Sequence, residues 1–176
     1  VLSWVNPHGE LSAKTFDDYL LEGPLKALDV ILEATGQSEV NALGYCIGGT
    51  LLACALAWLA KEDDKRIVSA TFFTTMLDFC DPGELGVFID EEQIGLVEKH
   101  MEKKGFLDGS QMAQVFSMLR ENDLIWSAFV NNYLLGKDPP PFDLLYWNSD
   151  STRMPAMMHG FYLREMYLNN RLIEPD

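Results

Sequence analysis

Apolar and polar residues change rhythm several times along the chain, and each change predicts an element. Val1 to Val5 is a short apolar run stopped by the turn cluster Asn6-Pro7-His8-Gly9, and it predicts a strand. Phe16 to Leu21 predicts a helical turn. Gly23-Pro24 then interrupts it, with Pro24 suited to the first position of a main helix. Leu25, Leu28 and Leu32 keep an apolar stripe at helical spacing, and Gly36 ends it. Val40 to Leu43 predicts a short buried strand. Thr50 to Ala60 is apolar nearly all round, as in a helix sandwiched inside a domain, and Lys61 to Lys65 is its polar exit. Ile67 to Leu77, rich in Val, Thr and Phe, predicts another strand. The order strand, helix, strand, helix, strand implies an open α/β unit with a mostly parallel sheet and right-handed crossovers.

After Asp78 the rhythm becomes helical. Asp81-Pro82-Gly83 is a turn. Glu91 to Lys103 and Ser110 to Leu119 predict helices with Ile94, Val97 and Met101, then Met112, Val115, Phe116 and Leu119, on their inner faces. Asp123 to Leu135 predicts a further helix, Pro139-Pro140-Pro141 breaks it, and helical spacing returns from Tyr162 to Leu172. No strand alternation stands out from 78 onward. The expected division is an α/β core over 1–77 and a mainly helical cap with its junction over 78–176.

Composition narrows the classes. The chain has 176 residues, 48% hydrophobic and 11% aromatic, enough for a real core. Its formal charge of -14 disfavours a nucleic-acid surface but leaves an anionic small substrate open. Three cysteines are too few for a disulfide scaffold. Cys46 and Cys54 on one helix would stand about 12 Å apart, too far to pair. No metal-ligand spacing appears, and no run of about 20 apolar residues predicts a membrane span. A reducing, cytoplasmic setting is the expectation. The opening "VLSWVNP" reads as a strand already under way and lacks an initiator Met, so the expectation is an internal piece of a longer protein.

The candidate chemistry sits in Gly44-Tyr45-Cys46-Ile47-Gly48-Gly49, between a short apolar strand and an apolar helix. A nucleophile on a sharp strand-to-helix turn needs small neighbours, and Gly44, Gly48 and Gly49 supply them. The first free N–H groups of the helix favour a thiolate and a developing oxyanion, and Ile47 N–H is the natural oxyanion donor. The plainer alternative is that Cys46 is a small buried hydrophobe. Cys54 reads as core. Cys80, beside Asp78 and Asp81, reads as structural with a raised thiol pKa. A thiol nucleophile needs a base and an orienting acid. Cys46, Asp78 and His159 form the triad that can be assembled from this chain alone. His100 reads as a surface residue, Asp150 as a turn or cap, and His8-Gly9 as a simple turn.

The segments "SWVNP", "FDDYLLEG", "EVNALGYCIGGTLLA", "SATFFTTMLDF", "VFIDEEQI", "NDLIW", "NNYLLGK", "PFDLLYWNSD" and "FYLREMYLNNRL" together resemble the polyhydroxyalkanoate synthases, most closely the class I poly(3-hydroxybutyrate) polymerases. The resemblance covers essentially the whole chain. It implies a partial α/β-hydrolase core with a helical cap inserted after the strand that follows the nucleophile helix, the C-terminal half of the core being missing. It maps the family's nucleophile onto Cys46, which would take 3-hydroxyacyl groups from coenzyme A thioesters and pass them to a growing polyester chain. It implies no cofactor, coenzyme A being part of the substrate. It implies homodimers and association with polymer granules in the cytoplasm. The family's catalytic aspartate and histidine lie after the cap, and neither Asp78 nor His159 occupies those positions. On this reading the 176-residue piece alone is inactive. Two other classes share the nucleophile turn. One is a cysteine hydrolase such as a thioesterase, which would release free acid rather than polymer. The other is a noncatalytic synthase-like binding module, in which Cys46 would not be acylated.

Overall fold

The computed structural model describes residues 1–139 and 152–175. Its centre is a parallel pair of strands, β1 (Val40–Tyr45) and β2 (Ile67–Phe73), joined by helix α3 (Ile47–Lys61). Leu43 stands beside Thr71 and Tyr45 beside Phe73, with an irregularity after Val40 that resets the register. Alternation along β1 sends Val40, Ala42 and Gly44 toward the helices, while Asn41, Leu43 and Tyr45 are exposed.

Two helices precede the sheet: α1 (Phe16–Leu20) and α2 (Lys26–Thr35). Thr15 starts α1 with a capping box, its hydroxyl accepting from Asp18 N–H while Asp18 accepts from Thr15 N–H. Gly36 ends α2 at φ 67°, a left-handed conformation that glycine adopts without strain. Leu25 and Leu28 pack with Ala55 and Leu59 of α3 over Val40 and Ile67. Burying each such leucine contributes roughly 2 kcal/mol.

Gly23-Pro24 does not interrupt the helix as the sequence predicts. The chain runs on through a π-wound segment, Leu21–Leu25, that contains Pro24. A wider turn absorbs the missing proline N–H. Gly23 has a different duty: a Cβ there would lie 2.2 Å from the Trp4 ring. The strand predicted over Val1–Val5 is also absent. No strand among the described residues pairs with it, and Trp4 instead leans on Tyr19 at 4.7 Å between ring centroids. The strand predicted to reach Leu77 stops at Phe73, because Thr74 turns to φ 44°.

Beyond β2 come α4 (Glu91–Lys104) and α5 (Gly109–Leu119), followed by π-wound segments at Asn122–Trp126 and Phe129–Leu134. Asp90 caps α4 by accepting from Gln93 N–H. Ile94 and Met101 are buried and Val97 is half-buried, as the predicted inner face requires. A small antiparallel ribbon escaped the sequence reading: β3 (Phe106–Leu107) against β4 (Met154–Pro155). Two residues per strand are too few to show alternation. Helix α6 (Ala156–Phe161) continues into a π-wound segment, Tyr162–Leu168. Phe16 and Leu51 share one core cluster with Phe79, Met158, Tyr162 and Met166. The predictions on residues 140–151, Asp150 among them, fall outside the described residues.

Candidate active site

Cys46 stands between β1 and α3 with φ 53° and ψ −129°, a strained backbone for a residue with a side chain. The strain is held from several sides. Cys46 N–H donates to Phe73 O at 3.0 Å, and Cys46 O accepts from Gly49 N–H at 2.9 Å. Thr50 is almost wholly buried, and its hydroxyl donates to Met76 O at 2.9 Å, tying α3 to the chain after β2. The thiol is exposed, which overturns the buried-hydrophobe alternative.

Steric need at the turn is unevenly shared. A Cβ on Gly44 would lie 2.4 Å from Gly49 Cα, and one on Gly49 would lie 1.9 Å from Thr75 Oγ1. One on Gly48 would meet nothing within 4 Å. The close approach is therefore between Gly44, Gly49 and Thr75, and the steric reason expected for Gly48 does not hold. Ile47 is the first residue of α3, so its N–H has no acceptor one turn back in the helix. Its side chain packs on the cluster built around Phe79 and Tyr162.

The other cysteines have different surroundings. Cys54 is half-buried, and burial pushes its thiol up to about 11. Cys80 is exposed, and the Asp78 carboxylate beside it raises its thiol, as the sequence predicts. Asp78 itself is held below the usual carboxylate range, first by Cys80 N–H and then by the Asn170 amide. Those bonds are 3.0 and 2.8 Å long. His159 is 4% exposed, with Nδ1 3.4 Å from Met101 Sδ. Burial pushes its imidazole down to about 4. Among the described residues, neither Asp78 nor His159 hydrogen-bonds to the other or to Cys46. His100 is exposed on α4.

An aromatic wall that the sequence reading missed lies against the first turns of α3. Phe79 meets Tyr162 and Tyr167 edge-on at 6.0 and 4.8 Å, and the two tyrosines cross at 5.3 Å. Burial pushes both hydroxyls up. Asn170 fastens the wall to the segment after β2. Its oxygen accepts from Phe79 N–H at 2.8 Å while its nitrogen donates to Asp78. Among the described residues, no group of three or more His, Cys, Asp or Glu side chains is placed to hold a metal ion. No helix among them is long and apolar enough to cross a membrane.

Comparison with known proteins adds a family and close relatives. A family model described as alpha/beta hydrolase fold matches residues 8–168. The chain is 59% identical over 172 residues to the poly(3-hydroxyalkanoate) polymerase subunit PhaC of Rhizobium meliloti (strain 1021), covering 98% of this chain and 28% of that protein. It is 56% identical over 172 residues to the poly(3-hydroxyalkanoate) polymerase of Methylorubrum extorquens, covering 98% and 28%. It is 42% identical over 180 residues to the polymerase subunit of Cupriavidus necator, covering 99% and 31%. The chain therefore spans less than a third of the length of these relatives.

Proposed function

The chain belongs to the alpha/beta hydrolase fold family, and from that premise we propose that it is the nucleophile-bearing part of an acyltransferase. The enzyme polymerises (R)-3-hydroxyacyl-CoA, mainly 3-hydroxybutyryl-CoA, into polyhydroxyalkanoate and releases CoA. The carrying observation is the exposed Cys46 on its strained, braced turn, in a chain 59% identical to a polymerase subunit.

The Cys46 thiol gives its proton to a base, and its sulfur attacks the thioester carbonyl. Ile47 N–H stabilises the oxyanion, a contribution of roughly 3 kcal/mol for a well-placed donor. The carbon–sulfur bond to coenzyme A breaks, and the departing thiolate takes up a proton. A 3-hydroxyl then attacks the acyl-cysteine and loses its proton to a base. The ester carbon–oxygen bond forms, and Cys46 leaves as thiolate for another round. No resident cofactor enters these steps. The base comes from the part of the parent protein outside these residues, since the His159 ring is buried against Met101. Homodimers and polymer-granule association belong to the same reading of the parent.

Mass spectrometry after brief exposure of the full-length parent to 3-hydroxybutyryl-CoA tests the proposal. The expected result is an acyl adduct on the Cys46 peptide, with CoA released and polymer formed. Cys46→Ala should show no adduct. An adduct persisting in Cys46→Ala, or release of free 3-hydroxybutyrate without polymer, would overturn it.

A further inference from the structure

Thr50 is almost wholly buried on the first turn of α3, and no step above uses it. A threonine in a helix commonly gives its hydroxyl proton to the carbonyl four residues back. Thr35 does so, donating to Ile31 O at 2.7 Å. For Thr50 that carbonyl is Cys46 O, which already accepts from Gly49 N–H at 2.9 Å and from Thr50 N–H at 3.4 Å. The Thr50 hydroxyl turns away from it and donates to Met76 O at 2.9 Å, 26 residues on.

The segment from Phe73 to Met76 grips the turn at both ends. Phe73 O accepts from Cys46 N–H at 3.0 Å, and Met76 O accepts from Thr50, about one helical turn later. Between them the Thr75 side chain stands over Gly49, where a Cβ would lie 1.9 Å from its hydroxyl oxygen. That hydroxyl donates to Phe73 O at 3.1 Å. Two residues with side chains take positive φ in this arrangement, Cys46 at 53° and Thr74 at 44°. For a β-branched residue such as Thr74 the conformation is an outlier. Strained backbone of this kind persists only where its surroundings over-determine it. The bond from Thr50 is made by a side chain, so a substitution can remove it and leave the backbone bonds in place.

On the acyltransferase reading above, we propose that Thr50 is a positioning residue: its bond to Met76 O holds Cys46 in the strained conformation that aligns the sulfur and Ile47 N–H on the thioester carbonyl. Without that bond the turn relaxes toward an unstrained φ. The sulfur stays exposed, but sulfur and oxyanion donor no longer meet the carbonyl together. A small electrophile that needs no oxyanion donor still reacts with the thiol.

The test loads the full-length enzyme with 3-hydroxybutyryl-CoA in a single turnover and, separately, alkylates it with iodoacetamide. Both reactions are read on the Cys46 peptide by mass spectrometry. Thr50→Val keeps the shape and removes the hydroxyl. It should lower the maximal loading rate about tenfold or more, with the half-saturating thioester concentration within about threefold of wild type. Its alkylation rate should stay within about threefold of wild type. Thr50→Ser, which keeps the hydroxyl, should load within about threefold of wild type. Thr50→Ala, which favours the helix, reads the same loss if Thr50→Val does not fold. Leu28→Ala, in the other core cluster, destabilises without touching the turn and should load at the wild-type rate per folded molecule. Wild-type loading without the hydroxyl, or an equal fall in loading and alkylation, overturns the proposal. So does a rate in Thr50→Ser as low as in Thr50→Val, or an equal fall in Leu28→Ala. If wild type shows no acyl adduct on Cys46, the acyltransferase reading falls and takes this inference with it.

Discussion

Buried His159 makes stability depend on pH in a window set by its surroundings. Its ring is 4% exposed, packed on Met101 of α4, and burial lowers its pKa from 6.5 to about 4. Glu98 is the nearby carboxylate on that helix: a Cβ on Gly160 would lie 3.3 Å from it. Arg164 already engages both oxygens of Glu98, so the imidazole gains no anionic partner there. The unfolded chain therefore binds a proton more readily than the folded one between pH 6.5 and 4, and stability falls as pH falls across that range. Above 6.5 the stabilising difference is fully present; below 4 both states are protonated and it is gone. At 1.36 kcal/mol per pKa unit the loss is about 3 kcal/mol. Carboxylates titrate in the same region, so the comparison is with His159→Leu, in which they are unchanged. Urea unfolding followed by circular dichroism at pH 7, 6, 5 and 4 gives the stability difference between the two chains. That difference should shift by about 3 kcal/mol against wild type from pH 7 to 4. A difference constant across the series would refute the reasoning, as would an imidazole that titrates near 6.5 by NMR.

Three further outcomes follow from the turn and the wall. Gly49→Ala should destabilise by about 1–3 kcal/mol through collision with Thr75, whereas Gly48→Ala should be neutral or stabilising by up to about 1 kcal/mol; melting temperatures rank the two. Asn170 is left-handed at φ 51°, so Asn170→Gly keeps the backbone and loses only the side-chain bonds, at about 1 kcal/mol, while Asn170→Ala should lose more; unfolding curves separate them. The 176-residue chain by itself should form no polymer from 3-hydroxybutyryl-CoA in a CoA-release assay. Turnover comparable with that of a full-length enzyme would restore His159 as the base.

The turn at Cys46 was legible because its cause is local. A glycine-flanked cysteine between a β-patterned run and an apolar helix predicts its own geometry, and Cys46 has the exposed, strained backbone that such a turn requires. The helices were legible for the same reason: Leu25, Leu28, Ile94 and Met101 all face inward at helical spacing. Tertiary partners were not. Val1–Val5 has strand-like residues but no adjacent strand among the described residues, and a strand is defined by what it pairs with. Which glycine is pinched also depended on a distant residue, Thr75, that spacing around Cys46 does not reveal.

The tyrosine wall was hidden by an assumption about period. Tyr162 and Tyr167 are five residues apart, and in an α-helix that separation turns them about 140° from each other. A reader applying 3.6 residues per turn sends one tyrosine to the core and the other elsewhere. The segment is π-wound, so residues five apart return to nearly the same side, and both rings reach Phe79. The widening ends at Asn170, whose left-handed backbone turns its amide back onto Phe79 and Asp78. The same local departure from α-geometry therefore brings both tyrosine rings onto Phe79, and Asn170 fixes that cluster to the segment after β2. That link ties the C-terminal helical segment to the chain that leaves β2.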